Sequence, residues 1–251
     1  MADTKAKLKL VALIPARTGS KRLQAKNIRL LAGHPLIAYT IAAAKASGIF
    51  DAIIVSTDSQ ETAEIAVRYG AESPFLRPVE FSGDKSPDID WLRYTLNRLD
   101  NEGRSFNVFA LLRPTSPFRM ANTIQRAWQQ FQSVEGLDSL RAVELCKQHP
   151  AKMWVIAGNF MQPFMGDGGI DPPWHSTAYQ SLPSIYAQNA SLEIAWTKVV
   201  QQGGTIAGKV ITPFLTEGYE GFDINRAEDW VLAEALLEKG LTALPSIGIT
   251  T

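Results

Sequence analysis

Four cationic side chains crowd into ten residues near the start of this chain, in the run Ile14-Pro-Ala-Arg17-Thr-Gly19-Ser20-Lys21-Arg22-Leu-Gln-Ala-Lys26-Asn27. Arginine and lysine at this density can neutralise the charge that builds on a departing pyrophosphate. Gly19 lets the backbone approach a phosphate closely, and consecutive exposed N–H groups form an anion-binding nest. The run contains neither G-x-x-x-x-G-K-[ST] nor G-x-G-x-x-G, so it is not a Walker loop or a dinucleotide turn. Charge by itself is equally compatible with a solvated basic loop. The position of the run, directly after an apolar segment, favours a phosphate site.

That segment, Leu8–Ile14, reads as a buried strand, and in an open α/β sheet ligands bind beyond the carboxyl ends of the strands. Pro35 opens a helix that stops before Gly48, and Ala52–Ser56 is a second strand. Asp58 with Glu61 makes a capping-box pattern for a helix ending at Gly70. Phe106–Leu112 is a third strand and Ala121–Ser133 a further helix. Trp91, Trp128 and Trp230 sit on amphipathic segments as core candidates. This alternation predicts a Rossmann-like α/β fold with a mainly parallel sheet.

After about residue 138 the rhythm changes. Ser139–Leu145, Met153–Ala157 and Ser191–Thr197 read as strands with no helix between them, around a stretch dense in Gly, Pro and aromatics. We expect an excursion from the main sheet at about 144–190, a small arm for self-association. The chain returns through Lys209–Thr212 to a last helix from about Arg226 to Lys239.

Composition narrows the function class. With 251 residues, 45% hydrophobic and 20% charged, the chain suits one well-buried domain, 1–251, with a small excursion. Lys plus Arg and Asp plus Glu number 25 each, so no net field draws in nucleic acid or an acidic membrane. No stretch approaches the roughly 20 apolar residues of a membrane helix. Cys146 is the sole cysteine, which rules out an intrachain disulfide and suits a cytoplasmic protein. His34, His149 and His175 lack zinc-site spacing, and we expect structural roles for them.

The cationic run resembles the signature loop of the acylneuraminate cytidylyltransferase family, whose cousins are the CMP-Kdo synthases. Further resemblances follow in family order: Ser56-Thr57-Asp58-Ser59; Leu76-Arg77-Pro78 before Ser82 and Asp84; Arg113-Pro-Thr115-Ser116-Pro-Phe-Arg119; and Phe222-Asp223-Ile-Asn225 with Glu228-Asp229. The similarity implies that CMP passes from CTP to a 2-keto-3-deoxy sugar acid of the sialic-acid type, with release of pyrophosphate. It further implies Arg17, Ser20, Lys21, Lys26, Asn27, Arg77 and Ser86 as nucleotide-binding residues. Arg113, Thr115, Ser116, Arg119, Lys152, Gln180 and Tyr186 would face the sugar acid. Asp223 would bind Mg²⁺ or Mn²⁺ and, with Arg17 and Lys21, carry catalysis. The family pattern also implies a homodimer. Read without the resemblance, Asp223 could be an ordinary loop carboxylate, Pro114 and Pro117 could only shape a turn, and Asp58 could merely cap a helix.

Three departures from the family pattern stand out. Arg113 occupies the place of a usual Gln, Asn225 that of a second metal-type Asp, and the arm lacks an arginine near Ala178-Tyr179-Gln180. Asn225 brings no charge and could not serve as a base, so it is a doubtful metal ligand; with Glu228 three residues on, it also reads as the N-cap of the last helix. Arg113, gained where the arm arginine is lost, is the expected grip for the acceptor carboxylate. Rival readings are a nucleotidyltransferase of this fold acting on a sugar 1-phosphate or phosphonate, and a nucleotide-binding regulatory protein without activity.

Overall fold

β1 (Leu10–Pro15) is apolar throughout and buried from Leu10 to Ile14, as expected of a strand covered on both faces. In this computed structural model, which describes residues 8–19, 22–166 and 168–248, the chain continues through β2 (Leu30–Leu31), β3 (His34–Pro35), α1 (Leu36–Ser47), β4 (Ala52–Ser56) and α2 (Gln60–Arg68). Next come α3 (Asp88–Asn101), β5 (Val108–Leu111), α4 (Ala121–Ser133), β6 (Ser139–Leu145), β7 (Trp154–Ala157) and β8 (Phe160–Pro163). The remaining elements are β9 (Tyr186–Trp196), α5 (Thr197–Gln202), β10 (Ile211–Leu215) and α6 (Ala227–Glu238).

The chain divides into two compact units, 143–188 and the residues on either side of it. In the larger unit a six-stranded sheet has the order β10-β6-β9-β5-β1-β4. β1 pairs in parallel with β4 and with β5, and β9 runs antiparallel to β5. Strand residues alternate between faces, so β1 feeds two cores. Leu10, Ala12 and Ile14 pack with Ile37 and Ile41 of α1 and Ile124 of α4. Val11 and Leu13 pack with Trp91, Leu92, Leu96 and Leu99 of α3 and Val200 of α5. A third cluster joins Leu36 and Tyr39 of α1 to Trp230, Ala233 and Leu236 of α6 and takes in the fully buried Ile224. These layers make a mostly parallel α/β fold.

β6 and β9, which flank the excursion expected at about 144–190, belong to the main sheet. Helix α3 spans the amphipathic segment of Trp91, to which the sequence pattern alone assigns no helix. Two expectations about helix caps are corrected. The N-cap of α2 is Ser59, whose side chain accepts from the Thr62 amide, and not Asp58. α6 starts after Arg226, and Asp229 Oδ2 accepts from the amides of both Asn225 and Arg226; Asn225 therefore does not cap it.

The smaller unit carries the β7–β8 hairpin, closed by Gly158 and Asn159 with Ala157 opposite Phe160. Gly158 has φ +62°, a left-handed backbone that suits glycine. His149 pairs with the Pro183 carbonyl at 2.9 Å, and Lys152 Nζ donates to the carbonyls of His175 and Thr177 at 2.8 and 2.6 Å.

Candidate functional site

A cleft of about 560 Å³ opens in the larger unit beyond the carboxyl end of β1. Arg17, Lys26, Asn27, Arg77, Arg113 and Asp223 all line it, joined by Ser86, Thr115 and Asn225. Ser20 and Lys21 lie outside the described residues. The turn that carries the cations is braced from within. Asn27 Nδ2 donates to the Arg17 carbonyl, and Asp58 accepts from the amide and hydroxyl of Thr18, both at 2.8 Å. Asp58 thus trades the expected helix cap for an anchor on the loop. Arg17 itself pairs with Asp84 at 2.8 Å.

The segment holding Asp223 is stitched to both neighbouring loops through one residue. Lys26 Nζ donates to the Ile224 carbonyl at 2.7 Å, and the Ile224 amide donates to the Thr115 carbonyl at 2.8 Å. Burial lowers the Lys26 pKa, an effect opposed by the neighbouring Asp223 carboxylate. Asp223 Oδ2 accepts from Asn225 Nδ2, while its Oδ1 is buried without a hydrogen-bond partner among the described residues. A buried carboxylate oxygen left unsatisfied is costly unless something else fills its lone pairs. The position fits a hard cation. No group of three His, Cys, Asp or Glu suited to hold a metal occurs among the described residues. Any ion here would take one protein carboxylate and complete its shell with water and phosphate oxygens, as Mg²⁺ commonly does.

The arginines differ sharply in what they can do. Arg77 is 4% exposed, donates to Ser56 and stacks on Trp91 at 4.5 Å. Burial pushes its pKa down to about 10, against the pull of Asp58 and Asp88. Arg113 pairs through Nη2 with Asp88 at 2.6 Å and with Glu193 at 3.3 Å. Burial works to raise the Asp88 pKa, but the charge and hydrogen bond of Arg113 hold it below the ordinary carboxylate value. Arg119, expected at the sugar, is 1% exposed and does not line the cleft. It donates instead to the carbonyls of Arg113 and Ser191 and to the Thr40 hydroxyl. Ser116 is buried too. Lys152, Gln180 and Tyr186 belong to the smaller unit, where Gln180 and Tyr186 are exposed.

Asp88 and Glu193 escape a reading of the sequence. Their one signal is Arg113 itself, since a guanidinium in a partly buried loop calls for carboxylates to balance it.

The larger unit therefore offers a cationic turn, a carboxylate with one oxygen unpartnered among the described residues, and two further arginines, Arg77 and Arg113, all on one cleft. Known proteins resemble this chain in sequence and in fold. A family model described as Cytidylyltransferase matches residues 11–153. The CMP-N,N'-diacetyllegionaminic acid synthase of Legionella pneumophila is 36% identical over 240 residues, covering 94% of this chain and 100% of that protein. The N-acylneuraminate cytidylyltransferase of Escherichia coli O18:K1:H7 is 42% identical over 127 residues, 51% of this chain and 29% of that one. A solved structure of a CMP:2-keto-3-deoxy-manno-octonic acid synthetase complexed with CTP superposes with a TM-score of 0.67 over 92% of this chain and 99% of that one. Its 12% identity makes it a likeness of fold alone. With a family match over more than half its length and a relative that it spans end to end, this chain belongs to the cytidylyltransferase family and is a nucleotidyltransferase.

Proposed function

We propose that the protein transfers CMP from CTP to a 2-keto-3-deoxy nonulosonic acid, as a cytoplasmic homodimer with Mg²⁺ at Asp223. The observation that carries this reading is the convergence of Lys26, Arg17 and Asp223 on one cleft with Arg113. A triphosphate and an anionic acceptor can lie there side by side. The acceptor's anomeric oxygen forms a bond to the α-phosphorus as its hydroxyl proton passes to solvent, and the bond from that phosphorus to the oxygen bridging to the β-phosphate breaks, releasing pyrophosphate. Such transfer needs positioning and charge neutralisation more than covalent catalysis. Arg17 and Lys26 supply positive charge to the phosphates from a turn held rigid by Asp58 and Asn27. Arg77, locked on Ser56 and Trp91, adds a fixed charge to the wall. Arg113 receives the acceptor carboxylate. Mg²⁺, when bound, would neutralise phosphate charge and orient its oxygens.

Pyrophosphate release measured across nucleoside triphosphates and acceptors tests this. CTP with N-acetylneuraminate or N,N'-diacetyllegionaminate is expected to give turnover, and the other triphosphates little. Turnover only with a sugar 1-phosphate or a phosphonate would overturn the acceptor assignment. Tight CTP binding with no turnover would overturn the activity.

Support for the homodimer comes from the β7–β8 hairpin. Its Ile156 and Phe160 are 76% and 81% exposed, beside exposed Val155, Met161 and Phe164. Contiguous exposed apolar side chains of this kind mark an association surface, and a second copy of the same hairpin is a matched partner. Paired Ile156→Asp and Phe160→Asp substitutions are expected to halve the mass seen by light scattering. A parent protein that is already monomeric at micromolar concentration would dismiss this interface.

A further inference from the structure

Arg113 is fixed at both ends. Its carbonyl accepts from Arg119 Nη1 and Nη2, each at 3.3 Å, and from Thr40 Oγ1 at 3.4 Å. Its guanidinium is gripped through Nη2 alone, by Asp88 and by Glu193. The N–H groups on Nε and Nη1 have no partner among the described residues, and the side chain lines the cleft. Each carboxylate is in turn held from behind. Asp88 Oδ1 accepts from Trp91 Nε1 at 2.8 Å, and Trp91 is 1% exposed on the buried face of α3. Glu193 is buried in β9 and faces Arg141 of β6 at 3.0 Å.

Two braced carboxylates on one nitrogen do more than neutralise a charge. A guanidinium on a free side chain must give up rotamer entropy on gripping a ligand, whereas one already clamped has lost it in folding. Sites hold their ligands best when the contacting group is locked by a supporting layer. We infer that Asp88, backed by Trp91, and Glu193, backed by Arg141, are positioning residues. They aim the remaining N–H groups of Arg113 into the cleft and thereby set its preference for an acceptor bearing a carboxylate. This rests on the proposed function and specifies how its acceptor is recognised.

The test compares N-acetylneuraminate with its methyl ester, which keeps the sugar and removes the negative charge. The parent protein should prefer the acid. Asp88→Asn keeps the acceptor oxygen for Trp91 but removes the charge facing Arg113. It should raise KM for the acid about tenfold and cut the preference for acid over ester by a similar factor, with KM for CTP changed less than about twofold. In an Arg113→Gln background the same substitution should add little, because its effect runs through Arg113. Trp91→Phe, which removes only the hydrogen bond behind Asp88, serves as a second probe and should shift the same ratio by a smaller factor. Parallel rises in both KM values would reveal a general structural disturbance and overturn the inference. So would an unchanged acid-to-ester ratio, or full additivity with Arg113→Gln. If the parent protein turns over neither compound, the proposed function falls and takes this inference with it; if only the variants fail to respond, the inference falls alone.

Discussion

Asp223→Ala is expected to lower kcat about 10³-fold while leaving the melting temperature of the free protein unchanged or slightly raised. The two effects are opposite because the carboxylate is poorly served by its own fold. Oδ1 is buried and unpartnered among the described residues, and such an acceptor costs about 1–3 kcal/mol. Deleting it forfeits the contact from Asn225 and the attraction to the Lys26 ammonium, and in exchange relieves that cost. Lys26 keeps its bond to the Ile224 carbonyl, so the turn should hold its shape. Two measurements check this: steady-state turnover, and thermal melts with and without CTP and Mg²⁺. A ligand at about 100 times its Kd adds about 2.7 kcal/mol to the stability of the parent protein, and most of that gain should vanish in the variant. A variant that melts much lower without ligand would show that Asp223 is an ordinary structural carboxylate. Retained turnover would remove it from the site.

Much of this architecture is legible in the sequence, and the failures share a cause. β4, α4 and β6 are readable to the residue because their signals are local: a short apolar run, or a helical stripe with a clear start. The run Ser56-Thr-Asp-Ser offers two candidate caps one residue apart. Local pattern cannot choose between Asp58 with Glu61 and Ser59 with Thr62. The choice is made forty residues upstream, where Thr18 requires the Asp58 carboxylate. Asn225 repeats the case, since Asp223 engages its side chain and Asp229 takes over the cap. α3 is hard to see for another reason. Its exposed side is crowded with Asp, Arg and Asn, and Trp91, Leu92, Thr95, Leu96 and Leu99 are its buried residues. The cationic turn could be singled out in advance because its charge density is local, and Asp223 because the family resemblance points to it. The partners of Arg113 could not, as they lie 25 and 80 residues away and meet it only once the sheet has formed.

Arg119 gives the sharpest contrast between what a motif suggests and what a fold requires. Within Arg113-Pro-Thr-Ser-Pro-Phe-Arg119 it looks like a ligand-binding arginine, yet it is fully buried and faces no carboxylate in any contact the structure describes. Burial pushes its pKa down to about 9, still high enough to keep it charged at neutral pH. It holds this place because its planar fork reaches three acceptors from three elements: Thr40 of α1, Ser191 of β9 and the Arg113 carbonyl at the end of β5. Arg119→Met fills much of the same volume but takes the donor from Thr40 and from the Ser191 carbonyl and leaves the Arg113 carbonyl only the Thr40 hydroxyl, an unsatisfied buried acceptor costing about 1–3 kcal/mol where no water replaces the donor. We expect a loss of about 3 kcal/mol and a melting temperature lower by about 6–12 °C. Arg119→Lys should recover only part of this, because a single ammonium cannot span the same three positions. At temperatures well below melting, the loosened Arg113 backbone should raise KM for the acidic acceptor more than KM for CTP. Thermal melts and kinetics on the two variants separate the possibilities. A melting temperature within about 2 °C of the parent, together with a large rise in acceptor KM, would mean that Arg119 meets the ligand directly and that the motif is the better guide.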